Sequence, residues 1–144
     1  MTRVRTGVHC GLLGLFVGLW AASPAYPEGA FAVGSTGNVV KDGIAYGGSY
    51  NHPNREDAEA GALRACRRYE AARRAAALCR IVATFSGECY AVANDPKAGT
   101  PGTGWAIARD EDTARERALA ACQASAGVGR EAYCTVEQSH CDEN

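Results

Sequence analysis

The sequence predicts an α+β fold, and three of its features carry that prediction. A helical stripe occurs twice, Glu56–Cys66 returning as Asp112–Cys122. Ala58, Ala62, Leu63, Ala65 and Cys66 are matched by Ala114, Ala118, Leu119, Ala121 and Cys122, at a constant offset of 56 (114 − 58). Short runs of alternating apolar residues flank each copy, the period-two signature of strands. Six cysteines fall at corresponding places in the two copies or close beside them. The chain therefore reads as strand-strand-helix-strand, twice, with repeats at about 29–85 and 89–141. Neither repeat is large enough to bury its own apolar face. The expected arrangement is an antiparallel sheet with both helices packed on one face and three disulfides.

In order, Gly29–Val33 alternates, with Phe31 and Val33 on one side, and Ser35–Asn38 has turn chemistry. Gly43–Gly47 is a second alternating run that can pair with the first as a hairpin. Gly47–Pro53 is expected to be an exit loop. Asn54 then suits a helix N-cap, with Glu56, Asp57 and Glu59 complementing the dipole of the first turn. The helix carries Ala58, Ala62, Ala65, Cys66 and Tyr69 on one stripe. Ile81–Phe85 is a strand, Ser86–Glu88 a turn, and Cys89–Ala93 the next strand. Asn94–Thr103 is a Gly/Pro-rich loop, Gly104–Ile107 a strand, and Asp110 caps the second helix, which Gly127 and Gly129 end. Cys134–Glu137 is a final short strand. In this alignment Tyr90-Ala-Val92 corresponds to Phe31-Ala-Val33, and Trp105 falls near the place of Tyr46.

The first 25 residues have the pattern of a signal peptide: Arg3 and Arg5, an apolar run over Gly11–Ala22, and small residues at Ser23 and Ala25. A span needs ~20 apolar residues, so this run is short for an anchor. Cleavage after Ala25 would leave an exported chain, periplasmic or secreted, of one domain over 26–144. The net charge of −1 becomes −3 without Arg3 and Arg5. That balance offers no footprint for nucleic acid or an anionic membrane, and no integral membrane segment is expected after cleavage. Leu, Ile, Val and Phe together number 15 beyond Ala25, a lean core.

Of seven cysteines, Cys10 lies in the signal, leaving Cys66, Cys79, Cys89, Cys122, Cys134 and Cys141. An even number in an exported chain reads as three disulfides. Position within the repeat pairs Cys66 with Cys79 and Cys122 with Cys134, each tying a helix end to the following strand; Cys89 and Cys141 remain for each other. The first pair raises a conflict. Bridged Cα atoms lie within ~7 Å, whereas thirteen helical steps would separate them by ~20 Å. The helix-favouring run Arg67–Leu78 must therefore bend back near residues 70–76, or the pairing is wrong. Zinc is the competing reading of the cysteines, and none of them has the short spacing of a structural zinc site.

No catalytic, metal or cofactor motif stands out. His52 and His140 are the two histidines after Ala25, and either with Ser49, Ser86 or Ser139 could form a dyad of a small hydrolase. Gly99–Gly104 has the glycine content of a phosphate cradle but leads into a strand. The carboxylates Glu56, Asp57, Glu59 and Asp110, Glu111, Asp112 open helices, where capping explains them. Arg64, Arg67, Arg68, Arg73 and Arg74 make the most basic surface, either an anion patch or a solvated face with local pairs such as Glu70 to Arg74. Trp105 and Tyr46 are expected in the core and Tyr50 in an exposed contact. A binding surface is thus expected among Tyr50, His52, Arg64, Arg67 and Arg68.

Gly43-Ile-Ala-Tyr46, the two Ala-x₃-Ala-Leu-x-Ala-Cys helices, Gly87-Glu-Cys89-Tyr-Ala-Val-Ala and Gly104-Trp-Ala together resemble the bacterial family known as domain of unknown function 4189, over roughly Gly29 to Cys141. The resemblance implies a small exported protein with paired cysteines, and it supplies no catalytic residues. The Arg/Ala-rich run between Cys66 and Cys79 departs from the shorter glycine-containing link such proteins carry. These readings together suggest a non-enzymatic interaction or inhibitor-like module for an unknown protein partner, with a hydrolase using His52 or His140 as the alternative.

Overall fold

In β1 (Glu28–Gly34) the side chains alternate by face: Ala30 and Ala32 on one, Phe31 and Val33 on the other. β1 is central, paired antiparallel with β2 (Ala45–His52) and β3 (Arg80–Phe85). The second half repeats this with β4 (Cys89–Asn94) between β5 (Thr103–Ala108) and β6 (Thr135–Cys141). The structure, a computed structural model, describes residues 27–142. The expected signal segment lies outside the described residues.

Each sheet has an alanine face covered by its own helix. In α2 (Arg55–Arg67) Ala58, Ala62 and Cys66 are buried against Ala30 and Ala32. Ala114, Ala118 and Cys122 of α4 (Glu111–Ser125) do the same over Ala91 and Ala93. Both helices start where expected, Asn54 accepting from the Asp57 N–H and Asp110 from the Thr113 N–H. Alanine lets the helix axis come close, and glycine beneath it completes the approach. A Cβ on Gly47 would lie 2.2 Å from the Cys66 nitrogen, and one on Gly104 would lie 2.4 Å from the Cys122 nitrogen. Gly47 is therefore a close-contact residue within β2, and the segment expected as an exit loop continues as strand to His52.

The other faces of the two sheets meet. Phe31, Tyr46 and Phe85 from the first half and Tyr90 and Val92 from the second form one buried cluster, with Phe31 5.3 Å from Tyr90 between ring centroids. Trp105, expected in the core, is instead 38% exposed at the cluster's edge, its ring 5.2 Å from Phe31, because its strand β5 flanks the sheet. The α+β class and the duplicated unit are as expected. The layering differs: the chain makes two three-stranded sheets in the order helix–sheet–sheet–helix, where a single sheet with both helices on one face was expected. The physical reason is that both faces of β1 and β4 are apolar. A helix takes the alanine face, and only the other half's aromatic face covers what is left.

The expected alignment of the halves was two residues out of register. Ala32 sits opposite Gly47 as Ala93 sits opposite Gly104. Tyr90 and Val92 thus occupy the places of Gly29 and Phe31, and Trp105 that of Gly48.

The three disulfides are those expected: Cys66–Cys79, Cys122–Cys134 and Cys89–Cys141. With all six sulfurs bonded, none remains as a zinc thiolate. The run after Cys66 breaks as the first bond requires. α2 stops at Arg67, Tyr69 is extended, a 3₁₀ turn covers Glu70–Ala72, and a single helical turn, α3 (Arg73–Ala76), leads to Cys79. The Cα atoms of Cys66 and Cys79 are consequently 6.1 Å apart.

Candidate functional site

The residues expected to carry function divide between the two ends of β2 and α2. These elements run antiparallel, with Gly47 under Ala62 and Cys66 and Gly61 against Ser49 and His52. Tyr50 and His52 therefore lie near the start of α2. Arg64, Arg67 and Arg68 lie exposed towards its far end, where Arg67 and Arg68 border a shallow hollow with Tyr69 and Arg73. Arg74 reaches Asp42 at 3.3 Å rather than the local partner Glu70.

Around His52 the structure gathers Ser49 and Asp142. A Cβ on Gly61 would lie 2.5 Å from Ser49 Oγ and 3.2 Å from His52 Nε2, so both side chains press on the same bare backbone. Asp142 Oδ1 accepts from the Asn51 N–H at 2.7 Å. Burial raises the Asp142 carboxyl above its ordinary value, against the Asn51 hydrogen bond. The trio lacks the features of a nucleophile site. Ser49 Oγ is enclosed, and among the described residues it has no hydrogen-bond partner, His52 included. His140 stacks on the Tyr50 ring at 4.7 Å, and Tyr50 is 38% exposed.

A cleft of about 550 Å³ opens at the other end of the seam. Its first-half wall is the single helical turn α1 (Val39–Asp42), with Gly43, Ile44 and Tyr69; its second-half wall is the loop Asp95–Thr100 with Thr135 of β6. Both walls are pinned by ion pairs. Asp42 accepts from the Thr36 hydroxyl and Arg74, which hold its carboxyl below the usual range despite burial. Asp95 accepts twice from Arg130, at 2.6 and 2.8 Å, and its pKa falls to about 2 because of that bond. The Arg130 guanidinium in turn lies 4.1 Å over the Tyr133 ring.

The floor is a polar chain at the joint between the sheets. Tyr46 Oη hydrogen-bonds Tyr69 Oη at 3.0 Å, Asn94 Nδ2 at 2.8 Å, and the Glu137 carboxylate. Asn94 also donates to Glu137, and Thr103 donates to Asn94 Oδ1 at 2.9 Å. Burial, with the Glu137 bond next, raises the Tyr46 phenol far above its ordinary value, so it stays protonated. The sequence places Tyr46 in the core and Tyr69 on the helix stripe, which in fact ends at Arg67, and it marks no role for Asn94, Thr103 or Glu137. No motif joins them: Tyr46 and Glu137 are 91 residues apart, and only the stacking of two sheets makes them neighbours.

No helix among the described residues is long and apolar enough to cross a membrane. No curated protein and no solved structure matches the chain. A family model does, that of a domain of unknown function, DUF4189, over residues 29–141. The matched segment begins in β1 and ends at Cys141, taking in both repeats and all three disulfides. By that match over most of its length, the chain belongs to the DUF4189 family.

Proposed function

We propose that this protein is an exported, non-enzymatic binding module that takes its partner in the cleft between its two halves. The observation that carries this reading is the cleft itself. Its volume lies in the range of small-ligand and peptide sites, both repeats contribute to it, and its floor is a set of oriented polar groups rather than a nucleophile beside a base. Three disulfides favour an oxidising compartment, periplasmic or extracellular. The enclosed Ser49 hydroxyl weighs against hydrolysis through His52.

The test is capture from envelope and culture extracts by the oxidised chain, in parallel with Thr135→Trp. Thr135 is exposed on β6 and lines the cleft, so the indole fills the cleft without entering the core. The expected result is a partner or ligand retained by the native protein and lost with the variant. Turnover of an ester or peptide substrate that His52→Ala abolishes would overturn the reading. The accompanying mass measurement should find an exported chain beginning at Tyr26.

A further inference from the structure

We infer that the cleft recognises a primary ammonium group, and that its ligand is a small zwitterion, a free amino acid or a short peptide with a free amino terminus. This rests on the reading of the cleft as a binding site and names what it binds.

The protons on the floor are fully assigned by their partners. The Glu137 carboxylate can only accept, so Tyr46 spends its one hydroxyl proton on Glu137. Both lone pairs of the Tyr46 oxygen are then taken, one by Asn94 Nδ2–H and the other by Tyr69, which must be the donor in their bond. The carboxylate also sets the Asn94 amide. Its two N–H groups go to Tyr46 and Glu137, and its oxygen accepts from the Thr103 hydroxyl. Every donor in the chain is now used, and every bond in it leads towards Glu137 directly or through Tyr46 and Asn94. What the floor retains is acceptor capacity alone: lone pairs on Tyr69 Oη and Thr103 Oγ1, and the second oxygen of Glu137. Such a surface discriminates in favour of a donor.

Charge narrows the donor. Asp42 and Asp95 also line the cleft, but each is already paired with an arginine. Glu137, exposed on β6, makes no ion pair among the described residues, so it is the unpaired carboxylate of the cleft. An ammonium offers three donors and the opposite charge, and charge-assisted bonds are roughly twice as strong as neutral ones. Lys41 and Lys97 stand on the two walls, and neither makes an ion pair among the described residues. They supply the complement for a carboxylate on the same ligand.

The experiment is a calorimetric titration of the oxidised protein with three probes: tri-L-alanine, its N-acetyl form and its C-terminal amide. Tri-alanine should bind saturably. Acetylation, which removes the ammonium, should weaken binding by about tenfold or more. Amidation should weaken it by a smaller factor, and Lys97→Glu should lower affinity for tri-alanine but not for the amide. Glu137→Gln should mimic acetylation; where that variant fails to fold, Tyr69→Phe removes one acceptor and should weaken tri-alanine and its amide but not the acetylated form. Equal binding of the acetylated peptide, or no binding of any of the three, overturns the inference. If the peptides fail while the native protein still captures a partner that Thr135→Trp loses, the ligand chemistry falls and the binding module stands.

Discussion

The two halves of the molecule solve the same problems with different residues. In the second half, the segment returning from the helix is fastened to the strand end by the Asp95–Arg130 ion pair. By the strand register, the first half places Gly34 where the second has Asp95, and the same return contains Ala75. There the two backbones touch directly: a Cβ on Gly34 would lie 2.1 Å from the Ala75 carbonyl oxygen. At the seam the exchange is one of size. Gly29 and Gly48 stand where the other half has Tyr90 and Trp105, and Phe31 and Tyr46 where it has Val92 and Thr103. A Cβ on Gly48 would meet the Tyr90 ring at 2.1 Å, so Tyr90 occupies the space Gly48 leaves open, while Phe85 of the first half itself fills the space over Gly29. A duplicated unit can diverge in this way because its two faces never again have to match themselves.

The correspondence is open to breaking by mutation. Phe31→Ala and Val92→Ala remove side chains from equivalent, fully buried positions. They should cost about 4 and about 2 kcal/mol respectively in chemical denaturation; equal costs would contradict the size exchange. Gly47→Val and Gly104→Val should each cost about 3 kcal/mol, because the clash in both halves is with helix backbone. A tolerant member of that pair would show that its helix can lift away. Cys66/Cys79→Ser and Cys122/Cys134→Ser open loops of 13 and 12 residues, and each should lower stability by ~3 kcal/mol. A markedly smaller loss in the first half would mean that the broken helix strains against its bond.

The smallest effect distinguishes the two joints by acid. Asp95 is depressed from 3.8 to about 2, so its contribution is present above the ordinary carboxylate value and lost as pH falls through about 2. Asp95→Asn should flatten the acid limb of the stability profile in that window. The Gly34–Ala75 joint has no group to titrate, so an unchanged profile would show that Asp95–Arg130 does not fasten the second joint.

The sequence made some of this legible and hid the rest for identifiable reasons. Asn54 and Asp110 were readable as caps because capping is local chemistry. The disulfides were readable because the repeat placed Cys66 and Cys122, and Cys79 and Cys134, in equivalent positions. The conflict at Arg67–Leu78 was also readable, and the bond prevailed over helix propensity there: α2 ends at Arg67. Gly47 and Gly48 misled because glycine marks turns as well as close contacts, and only the helix and Tyr90 above them decide which. The register of the halves was hidden by the same exchange of glycine for aromatics. The cleft floor was hidden most completely, since Tyr46, Asn94 and Glu137 meet across a sheet interface that the expected single sheet does not contain.

The size exchange also decides which pieces of this chain can choose one another. Each of the three disulfides closes within its own half, and the halves are joined covalently through the Ser86–Glu88 turn. A chain severed there keeps its preferences. Two first halves would leave Gly48 without the Tyr90 ring that covers it, and two second halves would bring Tyr90 and Trp105 against their own twins. Unlike fragments should therefore reunite where like fragments do not, so the repeat's two units would keep a preference for each other over copies of themselves.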